Sequence, residues 1–214
     1  MEEKAIVLKF TKIKENSIVL HTIARTYGRK SFIIRINARS GMALYLPLNI
    51  IDLDVEETRS SGLRQAKPLA AEYPLTGIRN SIHKNTMTLF MAEVLYRTIK
   101  DGALEEGLFD WCVRQILTLD ALTSDFSNYH IRFLLELCGA LGFRPGTEDL
   151  QPFCGDCQDL VEKFLSSEFS ESMLIPMNGQ LRNEVASCII KYLEYHTESA
   201  INIRSLQVLR DLYE

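Results

Sequence analysis

Apolar residues recur at every second position through roughly the first seventy residues, and at every third or fourth from residue 81 onward. A chain satisfies those two periods only with strands followed by helices, because side chains alternate across a strand and return to one helix face every 3–4 positions. Lys4 to Phe10 predicts a strand with Ile6, Leu8 and Phe10 on one face and Lys9 on the other. A polar break over Lys12 to Ser17 leads to a second strand, Ile18 to Ile23, and Gly28 supplies the turn into a third, Ser31 to Ile36. The run Leu44 to Glu57 predicts a fourth, with Pro47 at its edge, and Leu63 to Tyr73 holds a fifth. Five short strands, several of them apolar on both sides, predict a closed or nearly closed barrel of the OB type. An SH3-like barrel shares the same periodicity.

Beyond residue 80 the helical stripes are explicit. Ser81 is the expected N-cap of a helix burying Met87, Phe90, Met91, Val94, Leu95 and Thr98. Further helices are predicted over Leu108 to Leu119, Tyr129 to Leu141, Leu181 to His196 and Ser205 to Tyr213. The fold class is therefore α+β with two domains, a five-stranded OB-type β-barrel over 1–75 packed on an all-helical domain over 76–214. A loop-rich insertion covers 144–180, with one short helix expected at Leu160 to Leu165.

Charge divides at the same boundary. Residues 1–75 hold twelve Lys/Arg against eight Asp/Glu, and the remainder twelve against twenty, within a chain of net charge −4. The overall sign argues against a histone-like polyanion binder, while the basic barrel keeps a local nucleic-acid surface in play. No run approaches the ~18 apolar residues of a membrane span. Met1-Glu2-Glu3-Lys4 lacks the order of a secretory signal, and five cysteines fit a reducing compartment better than a disulfide framework, so the expected location is the cytoplasm.

Catalytic chemistry finds no foothold, and the chain reads as a non-enzyme. His21, His83, His130 and His196 fall on separate predicted elements, and neither GxGxxG nor GxxxxGK[ST] occurs. Cys154-Gly155-Asp156-Cys157 is the one arrangement with metal-ligand spacing. Two ligands do not make a structural site, and Cys188 and His196 lie about 12 Å apart along one predicted helix, too far to complete it together. Neither zinc nor any other cofactor is assigned.

The barrel cations are the better candidates. Lys9, Lys12, Lys14, Arg25, Arg29, Lys30, Arg35 and Arg39 lie at strand ends or in the early loops, where an OB barrel meets a nucleic-acid strand by charge and stacking. Phe10 and Phe32 alternate with the inward set and are assigned to the core. Tyr27, in the turn, is the expected stacking platform.

Several segments, taken in order, resemble the bacterial DNA repair protein family RecO. They are Lys4-Ala5-Ile6-Val7-Leu8, Glu15-Asn16-Ser17-Ile18-Val19-Leu20, Thr26-Tyr27-Gly28-Arg29 and Leu46-Pro47-Leu48-Asn49-Ile50-Ile51-Asp52-Leu53. The series continues with Leu89-Phe90-Met91-Ala92-Glu93-Val94-Leu95-Tyr96, Arg132-Phe133-Leu134-Leu135-Glu136-Leu137, Leu141-Gly142-Phe143-Arg144-Pro145 and Ile203-Arg204-Ser205-Leu206. Each motif alone is degenerate, and the ordered set is the specific part. The resemblance implies a recombination mediator without chemistry of its own. Such a protein binds single- and double-stranded DNA, anneals complementary strands, contacts the acidic C-terminal tail of the single-strand binding protein, and joins RecR to load RecA.

Two departures accompany the resemblance. Many relatives carry a four-cysteine zinc module, of which only Cys154 and Cys157 could be part here, and relatives often have a denser basic loop than Asn37 to Gly41. The partner tail is acidic with an apolar end, so its pocket needs a cation beside an apolar groove. Arg132 is the matching choice, with Tyr129 and Arg97 beside it, and a pairing of Arg132 with Glu136 one turn on is the competing role. A protein-interaction adaptor that barely touches DNA, and a zinc- or thiol-dependent enzyme resting on Cys154 and Cys157, are the alternative functions.

Overall fold

The computed structural model describes residues 1–37, 41–56 and 63–213. They form β1 (Glu2–Lys14), β2 (Ser17–Ala24), β3 (Gly28–Arg35), β4 (Ile50–Val55) and β5 (Arg64–Ala71). The helices are α1 (Thr76–Arg79), α2 (Ile82–Thr98), α3 (Leu108–Ala121), α4 (Tyr129–Ala140), α5 (Thr147–Cys154), α6 (Gln158–Ser166), α7 (Phe169–Leu174), α8 (Gly179–Thr197) and α9 (Ser205–Leu212). The chain divides into two compact units, Met1–Leu75 with Ile99–Ile116, and Thr76–Thr98 with Leu117–Glu214.

The strands close as β1-β2-β3-β5-β4, with β1 pairing antiparallel to both β2 and β4 and a parallel seam between β3 and β5. That connectivity is the OB-type closure. β1 pairs with β4 over Glu2 to Ile6, and its register with β2 shifts between Val7 and Lys9, and again between Lys12 and Lys14. A bulge of this kind bends the strand and exchanges its faces. Ala5 and Val7 point inward before the shift, whereas Phe10 and Lys12 stand opposite the inward-facing Leu20 and Ile18 after it. Ile6, Leu8 and Phe10 therefore do not share one core face. Ile6 and Leu8 are buried outside the interior cluster, and Phe10 is 42% exposed.

The barrel interior holds Ala5, Val7, Ile18, Leu20, Phe32, Ile34, Ile51, Leu53 and Val55, joined by Tyr45 from a 3-10 turn over Met42–Tyr45. The expected long fourth strand begins only at Ile50. Pro47 and the positive φ of Leu48 interrupt it, and Asn49 ties the turn down by donating to the carbonyls of Ala43 and Leu44.

Residues 99–116 group with the barrel, unlike a single cut after residue 75. The reason is backbone pairing at the β2–β3 turn: Arg29 N–H donates to the Ala103 carbonyl, and Gly102 N–H donates to that of Arg29. Gly28 permits this approach. Its φ is +63°, and a Cβ there would stand 2.1 Å from the Ala103 carbonyl oxygen.

In the helical unit, Ser81 caps α2 as expected, its Oγ accepting from Lys84 N–H. Lys84 is 4% exposed, and its ammonium donates to the carbonyls of Asp120 and Leu122 at the end of α3, over the Phe126 ring. A cation on the last carbonyls of a helix satisfies acceptors that lack an intrahelical partner. α8 packs against α4, α5 and α9. The expected loop-rich segment over 144–180 contains the short helix expected at Leu160 to Leu165 as α6, and in addition the short helices α5 and α7. Buried Asn128 fixes the end of α7 by donating to the carbonyls of Ser172, Met173 and Ile175.

Two predictions come from this packing. Gly28→Ala combines a left-handed backbone with a collision against the 101–103 segment, and should cost about 2 kcal/mol or more in urea unfolding. His130, 1% exposed and edge-on to Phe90, has its pKa lowered to about 3, by burial first and then by Arg182. Between that value and the ordinary 6.5 the unfolded chain binds the proton and the folded chain does not. Stability should therefore fall as pH drops below 6.5, by at most about 1.4 kcal/mol per pH unit from this group. Denaturant titrations at pH 7, 6 and 5 should show that slope reduced in His130→Gln.

Candidate nucleic-acid interface

The structure divides the barrel cations between two ends. β3 separates Arg29 from Arg35 by six residues, about 20 Å of strand. Arg25, Tyr27, Arg29 and Lys30 lie at or beside the β2–β3 turn, whereas Lys12, Lys14 and Arg35 lie at the β1–β2 hairpin end. Lys9 is exposed on the outer face, opposite His21. Arg39 lies outside the described residues.

The turn end is engaged internally. Arg25 bridges to Asp110 at 2.8 Å and lies over the Phe109 ring at 4.7 Å. Arg29 is only 4% exposed, with Asp101 3.7 Å from its guanidinium, which removes it from a surface role. The Tyr27 ring packs on Phe32 and under the Arg64 guanidinium, which also donates to the Tyr27 hydroxyl at 3.0 Å. The expected stacking platform thus carries contacts on both its aromatic and its polar side. Lys30 is half-buried.

The hairpin end is different. Ser17 pairs with Lys14 on one side and Arg35 on the other, so the two cations flank one small residue across about two strand spacings, roughly 10 Å. Lys12 stands one step inward on the rim. All three are exposed, and none forms an ion pair among the described residues. Phe10, assigned to the core from sequence, is exposed on the same face of β1 as Lys12, while Lys14 and Arg35 share the opposite face with Ser17. The missed signal is the polar, broken continuation of β1 beyond Lys9, which marks the strand leaving the core.

Nearby, His21 bridges Thr11 and Ser31 across the outer face of β1, β2 and β3. Partial burial and the charges of Arg29 and Lys9 lower its pKa to about 4, so at neutral pH it adds no positive charge to this sheet.

The residues chosen for an acidic tail are not assembled into one pocket. Tyr129 is fully buried against Phe169, which excludes a direct partner contact. Arg132 donates to Glu136 at 2.9 Å and to the Ser167 carbonyl at 3.1 Å, the competing role. Arg97 is exposed.

Three cysteines converge in the helical unit. The structure pairs Cys154 with Cys188, their Cα atoms 4.9 Å apart, where the sequence reading expected unpaired thiols. The packing of α5 on α8 brings them together. Cys157 lies in the same cluster, all sulfurs within 4.8 Å, and its thiol donates to the Cys154 carbonyl. Burial raises the Cys157 pKa, with Glu184 adding to the shift. His196 is elsewhere, stacked on Phe143 and beside Tyr192. A structural zinc takes four ligands. The described residues bring three cysteine sulfurs together, within 4.8 Å of one another.

Comparison with known proteins gives a consistent set of similarities. Residues 79–171 match the family described as Recombination protein O C terminal. The DNA repair protein RecO of Bacteroides fragilis is 27% identical over 98% of this chain and 97% of its own length. Its counterpart from Phocaeicola vulgatus is 27% identical over 97% of both chains, and that from Christiangramia forsetii 28% identical over 98% of both.

The sulfur cluster generates its own prediction. Peptide mapping after alkylation in denaturant without reductant should recover a Cys154–Cys188 linked pair and alkylated Cys157. Recovery of alkylated Cys154 and Cys188 would remove the crosslink.

Proposed function

We propose that the chain is a member of the RecO family of DNA repair proteins, to which it is similar, and that it is a recombination mediator holding DNA at the β1–β2 hairpin end of its barrel. On this reading it binds single- and double-stranded DNA and anneals complementary strands. With RecR it loads RecA onto DNA coated by the single-strand binding protein, whose acidic tail it contacts. It performs no chemistry of its own, requires no cofactor, and works in the cytoplasm at the nucleoid. Among the described residues, no helix is long and apolar enough to cross a membrane.

The observation that carries the reading is the set of Lys12, Lys14 and Arg35, exposed around one hairpin without carboxylate partners among the described residues. Phosphates contacted by such side chains release condensed counterions, and the released ions make affinity fall with salt. A net charge of −4 does not oppose this, because charges more than ~10 Å away are largely screened at 0.1 M salt. The tail-binding surface is not assigned to Tyr129 or Arg132, whose side chains are committed within the helical unit.

The test is the salt dependence of single-stranded DNA binding. At about 0.7 per phosphate neutralised, replacing Lys12, Lys14 and Arg35 together by Ala should reduce the slope of log affinity against log salt by about 2. Arg25→Ala, at the internally paired end, should leave it nearly unchanged. An unaltered slope in the triple variant excludes the hairpin as the phosphate contact. Retention of the partner tail by a protein that binds no oligonucleotide would replace this reading with that of a protein-interaction adaptor.

A further inference from the structure

Beyond the bulge in β1, an aromatic ring stands where the barrel has run out of interior. Phe10 is directly opposite Leu20, a fully buried core residue, yet remains 42% exposed. Its ring meets Tyr45 edge-on, with centroids 6.4 Å apart and planes at 62°. Tyr45 is itself 2% exposed and belongs to the barrel core. The contact holds the Phe10 ring from one side and leaves the rest open, and edge-to-face pairs of this kind prefer a definite orientation.

The surroundings identify what fits. Lys12 follows two residues later on the same strand, about 7 Å along. Lys14 and Arg35, paired through Ser17 next to the inward Ile18, lie on the other face of the hairpin. An oriented aromatic face beside a cation that lacks an ion-pair partner among the described residues matches the two ends of a nucleotide, a flat base and an anionic phosphate. A purely apolar peptide would leave that cation facing it unpaired, which is costly when it loses water. The other ring considered for stacking, Tyr27, is already engaged by Phe32 and Arg64.

We propose that Phe10 is a stacking platform for one base of a single-stranded nucleic acid, with Lys12, on the same face of the strand, receiving an adjacent phosphate. This rests on the DNA-binding reading above and adds a salt-independent contact to it. Stacking and charge are separable because loss of the ring changes affinity at every salt concentration equally, whereas loss of a cation changes the slope.

Equilibrium binding by fluorescence anisotropy tests it, using a labelled oligothymidylate and the same sugar-phosphate backbone carrying abasic sites. The unaltered protein should bind the abasic strand about tenfold more weakly. Phe10→Ala should bind the oligothymidylate about tenfold more weakly with the salt slope preserved, should lose little more on the abasic strand, and should be rescued by Phe10→Trp. Equal binding of both strands by the unaltered protein overturns the stacking contact while leaving phosphate binding intact. That arm does not depend on how any variant folds. Indifference of oligothymidylate affinity to both substitutions also overturns it and turns the patch over to a protein partner. Failure of the unaltered protein to bind either strand overturns the DNA-binding reading, and the platform with it.

Discussion

The register shift between Val7 and Lys9 decides more about this barrel than any single side chain. Before it, β1 pairs on both edges and sends Ala5 and Val7 into the interior. After it, the strand pairs only with β2 and lifts away from β4. A strand of 13 residues cannot remain flat in a five-stranded closure, because small barrels require strongly tilted and coiled strands. The bulge supplies that bend and leaves an overhanging hairpin whose inward-facing positions have no core to enter. Phe10 and Lys12 occupy those positions. The feature that closes the barrel thus also places an open aromatic ring and a cation at its rim.

Electrostatic pairing then separates the two ends. Around the β2–β3 turn, the chain brings Asp101 and Asp110 to Arg29 and Arg25, and backbone hydrogen bonds on both sides of Gly28 fix the approach. The Arg25 pair, with both partners half exposed, adds little stability, since exposed ion pairs are worth about 0–1 kcal/mol. Its effect is on availability: a guanidinium already facing a carboxylate and an aromatic ring must give up both to meet a phosphate. At the hairpin end the cations face no such competition among the described residues. Two sets with the same residue types therefore differ in what they can attract, and the difference comes from the segment over 99–116 that folds back onto one of them.

That segment explains much of what the sequence concealed. The change of period near residue 75 locates the strand-to-helix transition, and the stripe ending at Thr98 locates α2. Neither reveals that Ile99–Ile116 belongs with the barrel, because the contact is made by main-chain groups and by the absence of a side chain at Gly28. Alternation placed Phe32 in the core correctly; Phe10 also ends on the inward side, opposite Leu20, but stands where the strand overhangs the barrel, which alternation does not show. Of the helices over 147–174, α6 was legible from Leu160 to Leu165, whereas α5 and α7 were not, each being shorter than the window in which a helical period is read. Cys188 was legible as a cysteine on a helix, but its meeting with Cys154 depends on how α8 packs on α5.

On the proposed function, an acidic protein holds an acidic polymer through its local rather than its net charge. Opposing charges matter over a Debye length of about 8 Å at physiological salt, so the local set at the hairpin counts for more than the sum over the chain. Three cations nevertheless give only a modest and salt-sensitive attraction. An aromatic contact supplies what charge cannot: an interaction that persists as salt rises and that every base can make through its π-face. Sequence-tolerant binding suits a strand that must later pair with a complement, because edges used for Watson–Crick pairing remain free while a face is stacked. On the proposed function, a rim that presents Phe10 beside Lys12 would hold a strand in a form that can still anneal.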